Sequence, residues 1–129
     1  MPTQWPDWRS TEVTTLLVAC LCAQWCGVCR DYRSRFEQVQ ATIEQDHPQA
    51  RFIWIDVEDE ADLLHPVDVE DFPTLLIAVG DTPHFFGSLT PQVQTLERMV
   101  RSTLADPGAA GLADETLRAL VVRLRLQKT

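Results

Sequence analysis

Leu16-Leu17-Val18-Ala19-Cys20-Leu21-Cys22-Ala23-Gln24-Trp25-Cys26-Gly27-Val28-Cys29 is the stretch on which the fold turns. Residues 16–23 are an unbroken apolar run, too short for a membrane span and of the length of a fully buried strand. A helical pattern follows from Arg30 to Gln45, with Phe36, Val39 and Ile43 as its buried stripe. Arg30, Asp31, Tyr32, Arg33 and Arg35 form its wet face. Cys26 and Cys29 thus stand where a strand gives way to a helix. The first turn of a helix directs unpaired N–H groups and a positive dipole end at the first sulfur, which stabilises a thiolate, the species that attacks disulfides. Gly27 is read as the residue that lets the chain turn tightly. Two buried structural thiols, or half of a metal site, are the plainer alternatives.

Composition narrows the class. The chain has 129 residues, a net charge of −8, 45% hydrophobic residues and 23% charged residues, as for one globular domain with a sizeable core. The acidic balance argues against nucleic-acid phosphates and anionic membranes as partners. From Phe52 through Glu97 there is no Lys or Arg, while ten Asp and Glu fall there. All four cysteines lie within ten residues, Cys20 to Cys29, so they are not the staples of a disulfide scaffold. Leu17-Val18-Ala19-Cys20 mimics a lipoprotein cleavage box, but its upstream part lacks the charge and apolar length of a leader. The expected location is therefore cytoplasmic.

Along the chain, Met1 to Ser10 reads as an irregular lead-in that packs Trp5 and Trp8 on the domain edge, and Thr11 to Ala23 as the first strand. Arg51 to Val57 is a second strand, reached by a long crossover and so parallel to the first. Glu58 to His65 supplies one or two helical turns. Phe72 to Val79 is a third strand, Gly80 to Pro83 a turn, and His84 to Gly87 a short antiparallel fourth strand. A helix starts at Thr90 with Pro91 in its first position and carries Val93, Leu96, Val100 and Leu104 on one face. Asp106 to Gly111 breaks the pattern, and Leu117, Leu120, Val121 and Leu124 mark a last helix. The expectation is an α/β fold with a mixed sheet of four to five strands: a main domain over 1–106, then a linker and accessory amphipathic helix over 107–129.

With Trp25-Cys26-Gly27-Val28-Cys29 opening the first long helix, Phe52 to Glu60 as a central strand, Phe72-Pro73-Thr74 at a strand entry and Gly87 on the last strand, the chain resembles the thioredoxin superfamily from about Thr11 to Ala105. The resemblance implies a thioredoxin-like fold and protein-disulfide oxidoreductase activity. Cys26 would be the nucleophile and Cys29 the resolving thiol, with their redox-active disulfide in place of any cofactor. Pro73 would be cis and leave neighbouring backbone free to pair with an extended peptide; Trp25, Gly27, Val28, Phe72, Pro73, Thr74 and Gly87 would face substrate. Protein or peptide disulfides and an upstream thiol reductant are the implied partners.

The chain also departs from the family pattern. Cys20 stands where the family has a buried Asp, Trp54 where it has the Lys partner, Cys22 where an aromatic is usual, and Val28 where proline is usual. Cys20, Cys22 and Trp54 are thus candidate modulators, and resolution by Cys29 is expected to be slow without a carboxylate. Glu70 and Asp71 give the proline loop an acidic rim that favours neutral or basic substrates.

Two rival functions come from other classes. A site of four thiolates would need sulfurs about 3.8 Å apart around zinc. Cys20 and Cys22 on a regular strand lie about 6.6 Å apart along the backbone, which argues against metal. His47, His65 and His84 show no ligand spacing. The other rival is a binding or chaperone module with little turnover, whose last helix docks a partner or a second subunit.

Overall fold

The computed structural model describes residues 16–128. The lead-in with Trp5 and Trp8, and residues 11–15 of the expected first strand, lie outside them. The described elements are β1 (Leu16–Cys22), α1 (Gly27–Asp46), β2 (Arg51–Asp56), α2 (Ala61–Leu64), β3 (Thr74–Val79), β4 (Thr82–Ser88), α3 (Val93–Ala105) and α4 (Glu115–Lys128). The sheet runs β2-β1-β3-β4, with β1 parallel to β2 and both remaining pairs antiparallel. This is a thioredoxin-like α/β fold.

β1 lies at the centre and every residue of it is buried. Side chains alternate across a strand, so β1 feeds two cores. Leu16, Val18, Cys20 and Cys22 face α1 and α3, joined by Tyr32, Phe36, Val39 and Ile43 of α1, Leu75 and Ile77 of β3, and Leu96 and Val100 of α3. Leu17, Ala19 and Leu21 face the opposite layer, with Leu63 and Leu64 of α2 and Leu120, Val121 and Leu124 of α4. The helix past the breaker therefore closes the second face of the sheet. Its apolar stripe is occupied within this chain, and Arg123 fastens it by donating to the carbonyl oxygens of Leu63 and His65 at 2.8 and 3.1 Å.

Three local expectations need correction. Tyr32, placed on the wet face of α1, is 1% exposed, because it continues the Phe36 stripe backwards by one helical turn. Pro91 is not the first helical residue: Gln92 has extended backbone and α3 begins at Val93, while the Pro91 carbonyl accepts from Arg35. The β3–β4 turn is confined to Gly80 and Asp81, so Thr82 and Pro83 belong to β4. Gly80 has φ +59°, a value that favours glycine.

Candidate active site

The site sits where β1 ends, β3 begins and β4 ends. The chain leaves β1 through a turn closed by the Cys26 N–H donating to the Ala23 carbonyl at 3.1 Å. This turn is pinned to the end of β2: Asp56 accepts from the Gln24 backbone N–H at 3.1 Å and, with its other oxygen, from the N–H groups of Glu58 and Asp59. Arg30 reaches back to the Gln24 carbonyl. Cys26 is the N-cap of α1, with extended backbone, and Gly27 is the first helical residue. The tight turn is thus made at Gln24 and Trp25, not at Gly27; a Cβ at Gly27 would meet only the end of Arg30, at 3.7 Å.

Cys26 is a half-exposed free thiol at a helix end whose unpaired N–H groups favour an anion. Trp25, 62% exposed, and Val28, 47% exposed, flank it on the surface. Trp25 is not loose: its indole N–H donates to Glu58 at 3.0 Å and its ring meets Phe72 edge-on at 5.6 Å. The Phe72–Pro73 peptide is cis, as is His65–Pro66. Pro73 is buried at the entry to β3. Thr74 is buried too, its hydroxyl donating to the Asp71 carbonyl. Gly87 lies on β4 opposite Leu75, at the same end of the sheet, and its added Cβ would meet only its neighbour Phe85 within 4 Å. Trp25 and Val28 thus flank Cys26 along the chain, Phe72 meets Trp25 from the proline loop, and Gly87 marks the outer strand.

The cysteine pairing differs from the expected one. Cys29 is disulfide-bonded to Cys22, with Cα atoms 5.8 Å apart, and Cys26 and Cys20 are thiols. The cause lies in the alternation along β1, which points Cys22 at the face covered by α1, where Cys29 heads the buried stripe. Both are 1% exposed. Cys20 and Cys22 share that face and lean together until their sulfurs are 3.7 Å apart, closer than the backbone spacing suggested. The geometric objection to a thiolate cluster thus fails at this pair, although among the described residues no three His, Cys, Asp or Glu side chains form a group suited to a metal ion. Burial pushes the Cys20 thiol far above the usual thiol range, with Arg33 opposing weakly. Since Cys22 is bonded to Cys29, Cys20 is the donor between the two sulfurs.

Trp54 is the β2 partner of Cys20 in register, packs edge-on against Phe36 at 5.7 Å, and carries the Arg33 guanidinium 5.0 Å from its ring. Where a Lys would have met an Asp, the chain thus has a stacked aromatic against a neutral thiol. A recess of about 440 Å³ beside it is lined by Ala23, Gln24, Cys29, Arg30, Arg33 and Trp54. Sequence reasoning missed Asp56 and Glu58 as supports of the site and Cys22 as a bonding partner. The alternation of β1 held the signal for Cys22; for the two acids there was none, because their roles depend on where β2 ends.

Comparison with known proteins agrees with this fold. The thioredoxin family model matches residues 8–100. Bovine protein disulfide-isomerase A4 is 30% identical over 71 residues, a match spanning 54% of this chain and 11% of that protein. Among solved structures, the first thioredoxin domain of mouse protein disulfide-isomerase A4 superposes with a TM-score of 0.65 at 17% identity, over 87% of this chain and 77% of that one. The zinc-bound form of human ERp44 gives a TM-score of 0.65 at 18% identity, over 77% and 29%. Yeast mitochondrial thioredoxin 3 gives 0.56 at 20% identity, over 76% and 89%. With a family match over most of its length and a cysteine pair bonded where strand meets helix, this chain belongs to the thioredoxin family.

Proposed function

We propose that this chain is a thiol–disulfide oxidoreductase acting on protein or peptide disulfides, with Cys26 as nucleophile and Cys29 as resolving thiol. The observation that carries the reading is Cys26 itself: a free, partly exposed thiol at the N-cap of α1, flanked in the chain by the exposed Trp25 and Val28, with Phe72 against Trp25. The Cys26 thiolate attacks one sulfur of a substrate disulfide, the substrate S–S bond breaks, and one substrate thiolate leaves. For the second step an upstream thiol reductant first opens the Cys22–Cys29 disulfide. The freed Cys29 thiolate then attacks Cys26, releasing the second substrate thiol and leaving a Cys26–Cys29 disulfide that the same reductant returns to two thiols. These apolar side chains supply contact area for an extended segment. Glu58, Glu70 and Asp71 around it favour neutral or basic segments over acidic ones.

The test is reduction of insulin by dithiothreitol with wild type, Cys26→Ser and Cys29→Ser. Turnover should fall at least a hundredfold in Cys26→Ser, while Cys29→Ser should accumulate a mixed disulfide at Cys26; full turnover by Cys26→Ser would defeat the reading. The engagement of Cys29 with Cys22 favours a second reading, a module that captures partners through Cys26 and holds them. Wild type would then show background turnover together with a long-lived mixed disulfide.

A further inference from the structure

Two neighbours compete for one sulfur at this site. Cys29 is bonded to the buried Cys22, and Cys26 lies three residues before it at the same helix end, packed against the same apolar cluster. Positions i and i+3 are neighbours on a helix face. Cys29 therefore has one potential partner behind it in the core and another in front of it at the surface. Cys20 extends the set, its S–H directed at Cys22 across 3.7 Å.

We propose that Cys22 is a third redox-active cysteine and that Cys29 exchanges partners between Cys22 and Cys26, carrying one disulfide between a buried and an exposed position. The proposal rests on the reading of Cys26 and Cys29 given above. Cys26 loses its proton to solvent and its thiolate attacks the Cys29 sulfur. The Cys26–Cys29 bond forms, the Cys22–Cys29 bond breaks, and the electron pair leaves on Cys22. The Cys20 S–H hydrogen-bonds this departing thiolate, which then takes up a proton from solvent. One disulfide and one thiolate stand on each side of the step, and no electrons enter or leave. The buried pair is first made from two thiols by a disulfide oxidant, such as oxidised glutathione, which is itself reduced to two thiols. Function follows from position: with the disulfide buried, Cys26 is a free thiol that attacks substrate disulfides. With the disulfide at Cys26–Cys29, the protein offers a disulfide that substrate thiols attack.

The experiment maps disulfides after equilibration with oxidised glutathione, with free thiols blocked by N-ethylmaleimide. Cleavage after Leu21, Trp25 and Tyr32 separates a peptide holding Cys22 from one holding Cys26 and Cys29. Cys26→Ser, altered only at a half-exposed position, should lose two of its three thiols and show the two peptides cross-linked. If all three thiols are blocked instead, or a different pair forms, the proposal is overturned. Wild type should contain both the cross-linked form and the form closed within the second peptide, in the same ratio whether oxidised or reduced protein is the starting point. A single isomer from both directions also overturns it. The result is separable from the proposed function, since the mapping does not depend on turnover. Insulin reduction that persists in Cys26→Ser defeats the functional reading, whereas normal wild-type turnover without the Cys22–Cys29 link defeats only the relay.

Discussion

Tyr32 carries a hydroxyl that is buried and has no hydrogen-bond partner among the described residues. A buried polar group left without a partner costs about 1–3 kcal/mol, whereas an apolar group of the same shape does not. Tyr32→Phe keeps the ring against Phe36, 6.5 Å away between centroids, and removes only that oxygen. Unfolding by urea should show the variant more stable by about 1 kcal/mol. A loss of stability would mean that the hydroxyl has a partner after all. The residue also shows how a charged neighbourhood misleads: Arg30, Asp31, Arg33 and Arg35 are wet, but Tyr32 falls on the line of Cys29, Phe36 and Val39 and is buried with them.

At the scale of elements, a close approach to β4 holds the segment between α3 and α4. The Leu112 N–H donates to the Pro83 carbonyl at 2.7 Å, and a Cβ at Gly111 would run into that same oxygen and into the Thr82 methyl. The backbone oxygen belongs to β4 and cannot move aside without disturbing its pairing with β3. Gly111→Ala should therefore destabilise by about 1–3 kcal/mol. Gly108→Ala, with nothing within 4 Å of its added Cβ, serves as the control and should change little. Equal melting temperatures for the two variants would show that the approach is not a constraint. Because α4 covers Leu17, Ala19 and Leu21 of β1, a detached linker uncovers half of the core.

For the molecule as a whole, burial of ionisable groups against β1 sets a pH dependence. Desolvation raises the acids Cys20 and Tyr32 above their usual ranges, and the Cys20 charge adds to the effect on Tyr32. An unfolded chain releases these protons near their ordinary values, roughly 8.5 for a thiol and 10 for a phenol. Above those values the native state binds more protons than the unfolded one, so stability falls as pH rises. The loss approaches about 1.4 kcal/mol per pH unit for each group. The contribution is complete below about pH 8.5 and is lost through the alkaline range. Unfolding free energies measured from pH 8 to 11 should decline, with a shallower slope in Tyr32→Phe. An unchanged slope in that variant would exclude Tyr32 as a source.

The family, the sheet and the free thiol at the start of α1 were legible in the chain because each is a local pattern: an apolar run, a thiol pair at a strand–helix junction, a proline at a strand entry. Period-2 alternation along β1 even assigned Cys20 and Cys22 to one face. Which sulfur Cys29 bonds was not local, since it depends on how α1 lies across β1, and helix packing brings Cys22 to 5.8 Å between Cα atoms. The same holds for Asp56 and Glu58, far in sequence from Trp25 and Gln24 but joined to them by the parallel pairing of β1 and β2. Sequence determined the chemistry available at the site, because residue types and short spacings fix it. Tertiary structure alone decided the partners, because a thiol, a carboxylate or a hydroxyl bonds whatever the packed chain places within reach.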